Sequence, residues 1–318
     1  MTATTTHPAP SRTWTSNSRK AGLIAILCAI VGLSIGSTMV KKTGSPGPVV
    51  AVWRLSIGAL VWQIVLLVRK QRFTVEHAKI TLLPGVLFGI NLMFFFTGVT
   101  RTRIANAEFI GTLTPLIVLP FAAYRLKEKI RREILLFGVL ALGGVSLIVL
   151  LGSKGGAHSW SGDLLCIGAV TTWACYLLFT KRIRSRIDTT RFMAGMTLFA
   201  ALTVAPFAVG TGHLTQVTHT GWVLIAVMAV TSGVVSHGLL AWSQQSVPVS
   251  TMSLLQLGQP GLSTFWAWLI LDEAVKPLQI IGMAVVLFAV GNIARIATRP
   301  VVREPNSPTV ARPAPDRI

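Results

Sequence analysis

The sequence has little charge and few reactive side chains. Charged residues make up 12% of its 318 residues and hydrophobic residues 52%, with a mean hydropathy of +0.66, whereas about 25% of the residues in a soluble domain are charged. The three cysteines lie in apolar stretches, where they indicate small core residues rather than a disulfide framework or a metal site. The composition therefore excludes a soluble domain and predicts an integral membrane protein.

The common motifs of enzymes and ATP-driven machines are also missing. The sequence contains no G-x-x-x-x-G-K-[ST] loop, so ATP would not be the energy source within this chain. It contains no H-E-x-x-H motif, no nucleophile elbow and no pair of intramembrane acids. We therefore predict no catalytic residue, no metal and no cofactor. A channel is disfavoured as well, because we find neither rings of charge nor a carbonyl filter.

Apolar runs near the roughly 20-residue length that spans a bilayer recur ten times. They cover Gly22–Val40, Pro48–Val68, Ile80–Val99, Ile104–Tyr124, Ile134–Gly152, Gly162–Thr180, Phe192–Val209, Gly221–Trp242, Val249–Leu271 and Pro277–Ala297. The first run is too long for a signal-peptide core and should be retained. We expect an all-α integral membrane protein with ten transmembrane helices and polar, disordered cytoplasmic tails at 1–20 and 299–318.

Basic residues are distributed unevenly along the chain. The formal net charge is +19, which in a soluble chain would indicate nucleic acid as a partner. With the amino terminus placed in the cytoplasm, 22 of the 29 Lys and Arg residues fall in the tails and the even-numbered loops. This bias is the positive-inside rule. We therefore predict a multi-pass plasma-membrane protein with both termini cytoplasmic, embedded in the lipid bilayer and binding no nucleic acid.

One pattern occurs twice in the chain. Pro115 is followed thirteen residues later by Glu128, and Pro260 is followed thirteen residues later by Glu273. The two copies divide the chain into halves at 21–152 and 162–297, each with five expected spans. Because five is an odd number, the second half must enter the membrane in the opposite orientation. Two inverted five-helix repeats are typical of transporters whose substrate binds between the halves.

Several segments carry a resemblance to a known family. They are GLIAILCAIVGLSIGSTMVKK and GDLLCIGAVTTWACYLLFTKR at the starts of the halves, the arginine of AVWRLSIGAL, and WSQQSVPVSTMSLLQLGQPGLSTFWAWLILDEAV. With these segments the chain resembles the drug/metabolite transporter superfamily, and specifically its ten-span EamA-like proteins, over roughly residues 20–298. The resemblance implies an inverted-repeat carrier with a central cavity that works by alternating access on small metabolites, often outward. LKEK stands where the family usually has a glycine–glutamate pair.

Both prolines of the repeated pattern are expected to break a helix near mid-depth. A proline leaves the carbonyl four residues earlier without its usual donor, here the carbonyls of Gly111 and Gln256. In lipid such a carbonyl needs another partner, so the stretches at Pro115 and Pro260 should face protein or water. Alternatively, both are harmless kinks covered by neighbouring helices.

Polar and aromatic residues at similar depth are the candidates for contact with the substrate. At ~1.5 Å of rise per residue, Asn91 and Gln259 come out near the midplane of a bilayer core about 30 Å thick. Trp173 matches a tryptophan of the family, and it could instead be ordinary packing. The complete predicted substrate-binding set is Asn91, Trp173, Gln256, Gln259, Arg54 and Glu108.

Three ionisable residues lie inside expected spans, where charge is costly and marks pathways or pairs. Arg54 and Glu108 have two interpretations. They form a structural salt bridge that holds the outer gate, or Glu108 binds a cation or the coupling proton while Arg54 binds a carboxylate. His237 is interpreted as an interfacial or hydrogen-bonded residue rather than a proton relay.

Three functions are compatible with this pattern. We favour a secondary active transporter that moves a small, amino-acid-like metabolite across the plasma membrane as an exporter, with proton coupling as one possible drive. The alternative carrier moves a larger solute, such as a nucleotide sugar or a drug-like cation. An alternative from another class is a non-transporting membrane scaffold or sensor. The polar midplane favours transport, and the oligomeric state is left open.

Overall fold

The computed structural model of the chain describes residues 16–151, 159–271 and 275–299, and every regular element within them is helical. The α-helices are α1 Ser16–Ser34, α2 Gly36–Lys42, α3 Gly47–Val68, α4 Val75–Arg101, α5 Ile104–Gly111, α6 Thr114–Arg125, α7 Arg132–Leu151, α8 Trp160–Ile183, α9 Thr189–Gly210, α10 His219–Met228, α11 His237–Ser243, α12 Val249–Leu255, α13 Gln259–Leu271 and α14 Pro277–Thr298. A π-helix, Ala229–Ser236, joins α10 to α11, and a 3-10 turn, Gln256–Gly258, joins α12 to α13.

Nine helical stretches among the described residues are long and apolar enough to cross a membrane. The expected ninth span, Val249–Leu271, is not among them, and it is divided between α12, the 3-10 turn and α13. Large apolar side chains of these helices point outward, as in Leu67, Tyr124 and Phe288, where lipid takes the place of water. The expected tails 1–20 and 299–318 lie largely outside the described residues. Glu273 lies wholly outside them.

Small residues let the long helices approach closely. A side chain on Gly144 of α7 would lie 2.9 Å from the carbonyl oxygen of Gly282 on α14, and one on Gly98 of α4 would lie 2.5 Å from the sulfur of Cys166 on α8. The contacts of each pair run in opposite chain directions, so α7 and α14 are antiparallel, as are α4 and α8. Backbones can approach this closely in a membrane only where a side chain is small.

The basic loops gather at one end of the molecule. Arg69 donates to the hydroxyl of Thr190 at 3.2 Å, and the Lys181 ammonium donates to the Gln244 carbonyl at 2.6 Å. We call this the basic end, and it contains the loops 69–74, 126–131, 184–188 and 244–248. The other end, where α4 finishes and α8 begins, is called the opposite end.

The fourth and ninth expected spans are each interrupted beside a proline. Helix α5 ends at Gly111 and α6 begins at Thr114, one residue before Pro115. The Gly111 carbonyl accepts a hydrogen bond from the Thr114 hydroxyl at 2.8 Å. At the second interruption the Gln256 carbonyl accepts from the backbone N–H of Gln259. A local donor therefore satisfies each of the two carbonyls to which Pro115 and Pro260, lacking an N–H, cannot donate.

Candidate functional site

A cavity of about 120 Å³ lies where the two interrupted spans meet the helices around them. Roughly 10–15 Å³ holds one water, so this cavity has room for a solute of on the order of ten non-hydrogen atoms. Its lining consists of Leu33, Gly36, Arg54, Asn91, Leu92, Phe95, Phe96, Glu108, Gly111, Thr112, Thr114, Ala169, Val170, Trp173, Ser232, His237, Gln256, Gln259 and Pro260.

Arg54 of α3 supplies the positive charge of the cavity and is only 2% exposed. Its Nη2 donates to the Ser232 hydroxyl at 3.1 Å and lies 3.4 Å from Nδ1 of His237. Its guanidinium also lies over the Phe96 ring, 5.6 Å from the ring centroid, a cation–π contact. Its Nε and Nη1 have no hydrogen-bond partner, so the side chain retains donors for a further group.

The π-helix brings the partners of Arg54 together. Its wider turn places His237 five residues beyond Ser232, where Nδ1 meets the Ser232 carbonyl. The Ser236 hydroxyl likewise donates to the carbonyl of Thr231 at 3.0 Å, also five residues earlier. Insertions of this kind in a helix are often found at functional sites. His237 is buried and hydrogen-bonded rather than interfacial.

Glu108 of α5 supplies the negative charge and is 5% exposed. The carboxylate lies beside the hydroxyls of Ser37 and Ser263, yet its Oε1 has no hydrogen-bond partner. Among the described residues no ion pair joins Glu108 to Arg54, whose guanidinium donates to Ser232 and lies beside His237 instead. The structural salt bridge, one of the two interpretations from the sequence, is therefore not formed.

Amide side chains complete the polar lining. Asn91 of α4 donates to the Ala169 carbonyl of α8 at 2.8 Å. The Gln256 side-chain carbonyl accepts from the indole N–H of Trp173 at 3.0 Å, whereas its Nε2 has no partner. Gln256 therefore holds the indole with one end of its amide and keeps the other end free as a donor.

Aromatic rings form one wall of the site. Trp173 stacks on Tyr176 with ring centroids 5.0 Å apart, and Phe88 packs edge-on against His237 at 4.8 Å. Phe95 and the Phe96 ring line the cavity directly. The rings exclude water from one side of the charged groups, which strengthens electrostatic interactions there.

All six predicted substrate-binding residues line this one cavity, and so does Pro260. Pro115 is buried in α6 and does not line it. Sequence reasoning missed Ser232 as a lining residue and as a partner of Arg54, since no local pattern marks the π-helix. It also missed Thr114, although the repeat itself could have found it: Thr114 precedes Pro115 as Gln259 precedes Pro260.

The arrangement provides binding groups rather than reaction chemistry. A cation and an acid, each with unused hydrogen-bonding capacity, share one cavity with three amides and several rings. Within the described ranges no group of three His, Cys, Asp or Glu residues could hold a metal ion. A solute that carries both a positive and a negative charge would find a partner for each in this cavity. A solute with one charge would find a partner in either the cation or the acid.

The fold and the cavity define a multi-pass, all-helical membrane protein with a polar site between its interrupted helices. A crystal structure of 18% sequence identity has the same fold, with a TM-score of 0.70, and the match covers 89% of this chain and 98% of that one. The model of the EamA-like transporter family matches residues 20–150 and again 160–294. The chain belongs to the EamA-like transporter family, whose members are transporters and not enzymes.

Curated relatives match over most of their length. The threonine/homoserine exporter RhtA of Salmonella typhimurium is 23% identical over 290 residues, which cover 89% of this chain and 93% of the relative. The RhtA of Escherichia coli is 24% identical, with 84% and 88% covered. A probable amino-acid metabolite efflux pump of Salmonella typhimurium is 24% identical, with 85% and 93% covered.

Proposed function

We propose that this transporter is a secondary carrier that exports a small amino-acid-like metabolite by alternating access. The observation that carries the proposal is the pair of opposite charges in one buried cavity, unpaired with each other. Arg54 retains two unpartnered nitrogens and Glu108 one unpartnered oxygen. In this proposal Arg54 binds the carboxylate of a zwitterion and Glu108 its ammonium group, because each buried charge is costly without a counter-charge.

The remaining lining gives the proposed site its shape. Asn91, Gln256 and Gln259 offer hydrogen bonds to the polar groups of the solute, and Trp173 packs against its carbon chain. Room for on the order of ten non-hydrogen atoms suits an amino acid, whereas a nucleotide sugar is several times larger. The names of the relatives RhtA and the amino-acid metabolite efflux pump agree with this choice of substrate.

Flux measurements on the purified protein in proteoliposomes test the proposal. We expect saturable transport of a neutral amino acid, with threonine as the first probe, that an imposed proton gradient accelerates. Arg54→Gln should abolish it, while Lys42→Gln, which removes an exposed cation donating to the Ile270 carbonyl, should leave it nearly unchanged. Saturable flux of a drug-like cation or a nucleotide sugar, without any flux of amino acids, would establish the alternative carrier.

We also propose that the carrier has ten spans in two inverted units, 21–152 and 162–297, with the basic end cytoplasmic. Helix α12, the 3-10 turn and α13 together form the ninth crossing, which brings the total to ten. The gathering of Arg and Lys at one end supports this orientation. In a cysteine-free background, Arg72→Cys should react with an impermeant maleimide from the cytoplasmic side and His213→Cys from outside. Labelling of both from one side would contradict the proposed topology.

A further inference from the structure

Glu128, in the loop between α6 and α7, caps a helix in the other half of the chain. Its Oε1 accepts from the backbone N–H of Val249 at 2.9 Å, and its Oε2 accepts from the N–H of Ser250 at 3.0 Å and from the Ser250 hydroxyl at 2.7 Å. The residue before α12 is Pro248, which makes no side-chain cap. The first two N–H groups of α12 therefore depend on a carboxylate that is 121 residues away in the sequence.

This contact is favourable for two reasons. The amino end of a helix carries unsatisfied N–H groups and a partial positive charge, which an acid complements. Hydrogen bonds to a charged acceptor are also stronger than neutral ones. All seven residues of α12 are buried, so without Glu128 two N–H groups would lose a charged acceptor at a largely buried helix end.

The segment before α12 is held by cations. Lys181 donates to the carbonyls of Gln244 and Val247, both at 2.6 Å. Arg184 donates to the Ala241 carbonyl at 2.8 Å, and burial lowers the pKa of Arg184 to about 10. Lys181 lies in α8 and Arg184 directly follows it, so both cations come from the same half as α12, whereas Glu128 comes from the first half. Glu128 therefore fastens the two halves to each other at the basic end.

Helix α12 also separates the cavity from the basic end. The cavity lining includes Gln256, the residue directly after α12, and no residue of α12 itself. On the other side α12 begins after the loop 244–248, its first two N–H groups donate to Glu128, and it packs against α6 and α14. Movement of α12 away from Glu128 would open the cavity toward the basic end along this helix.

We propose that Glu128 is the latch that closes the cavity at the basic end and that its three hydrogen bonds break in each transport cycle. The proposal rests on the alternating-access carrier proposed above. In this proposal Glu128, the acid of the first copy of the repeated pattern, positions α12 and does not contact the substrate.

Cysteine accessibility in membrane vesicles tests the latch without any substrate. In a cysteine-free background, Ser253→Cys reports on α12 and Thr112→Cys on the cavity, and Arg72→Cys identifies the side on which the basic end lies. We expect Glu128→Gln to raise the labelling rate of Ser253→Cys from that side by at least about tenfold. Labelling of Thr112→Cys from the opposite side should fall, because the molecule spends less time closed at the basic end.

Two variants serve as controls. Glu133→Gln changes a nearby acid that is 58% exposed and should change neither rate. Ser250→Ala removes one of the three hydrogen bonds and should raise the rate at Ser253→Cys by less than Glu128→Gln does. If Glu128→Gln does not fold, Glu128→Asp and Ser250→Ala carry the test, and unchanged rates in both overturn the latch.

Unchanged labelling of Ser253→Cys in folded Glu128→Gln also overturns the proposal. So does a rise at both reporters together with a lower melting temperature, since that outcome means general loosening. Failure of amino-acid flux, by contrast, would reject the proposed substrate and leave the latch intact.

Discussion

The two interrupted spans have similar sequences in different surroundings. Helix α12 is buried along its whole length and is capped by a carboxylate from the other half. Helix α5 has no side-chain cap from Arg103, and Phe109, Ile110 and Gly111 are only half-buried. Glu273, the counterpart of Glu128 in the second copy, lies outside the described residues. Within the described residues the two half-helices differ in their place at the site: α5 contributes Glu108 and Gly111 to the cavity lining, and α12 contributes none of its residues.

Equivalent positions in the two spans also carry different chemistry. Seven residues before the proline stands Glu108 in one copy and Ser253 in the other, and four residues before it stands Gly111 or Gln256. The Ser253 hydroxyl donates within its own helix to the Ser250 carbonyl at 3.0 Å. The acid is therefore provided by the first span and the amide by the second. The two interrupted spans therefore contribute unlike groups to the site.

The largest effect is expected where the two copies differ in charge. Glu108→Gln removes the proposed partner of the substrate ammonium group, and a hydrogen bond to a charged group contributes about 1.5–3 kcal/mol. The substrate concentration at half-maximal flux should rise about 10- to 100-fold. If Glu108 also carries the coupling proton, exchange at saturating substrate should persist while the response to a proton gradient disappears.

Ser253→Ala is the matched control, because Ser253 is the counterpart of Glu108 in the second span and lies outside the cavity lining. It should change the substrate concentration at half-maximal flux by less than about twofold. The hydroxyl makes one hydrogen bond, with a net contribution of about 0.5–1.5 kcal/mol, and this bond affects packing rather than binding. Equal effects of both variants would contradict a site supplied unequally by the two spans. A Glu108→Gln variant that is stable and still driven by the gradient would remove Glu108 from the site.

A smaller effect is expected for the amides of the second span. Gln256→Leu leaves the Trp173 indole N–H without its acceptor, at a cost of about 1–3 kcal/mol. The substrate concentration at half-maximal flux should therefore rise about tenfold. Gln259→Leu should raise the same concentration by about two- to tenfold, which corresponds to the net free energy of one hydrogen bond. Leu inserts readily into a membrane, so protein levels should be normal. Unchanged flux and affinity in both variants would refute contact with the solute.

The smallest effect is expected for the prolines themselves. Pro260 lines the cavity after a 3-10 turn, and alanine there restores a donor that favours a continuous helix. The maximal rate should fall by about two- to fivefold with no loss of thermal stability. Pro115 stands in the first turn of α6, where proline is well tolerated, so Pro115→Ala should change the rate by less than about twofold. A larger effect of Pro115→Ala than of Pro260→Ala would reverse the comparison.

Much of this protein follows from the sequence alone. Apolar length and scarce charge determine the membrane helices, because a bilayer accepts little else. Pro115 and Pro260 mark two interruptions, since proline lacks a backbone donor, whereas Pro84 and Pro206 lie inside the continuous helices α4 and α9. The polar residues at mid-depth, such as Asn91 and Gln259, mark the lining of the cavity because polar groups in lipid need partners.

Tertiary structure alone decided how these residues pair. Arg54 contacts Ser232, 178 residues away, rather than Glu108, and Glu128 caps α12 in the other half. These pairings depend on the register between helices, which is set by close contacts such as that of Gly144 with Gly282, and on the wider turn of the π-helix. A shift of one residue turns a helical side chain by about 100°. Local sequence patterns do not encode that register, because it results from packing between segments far apart in the chain.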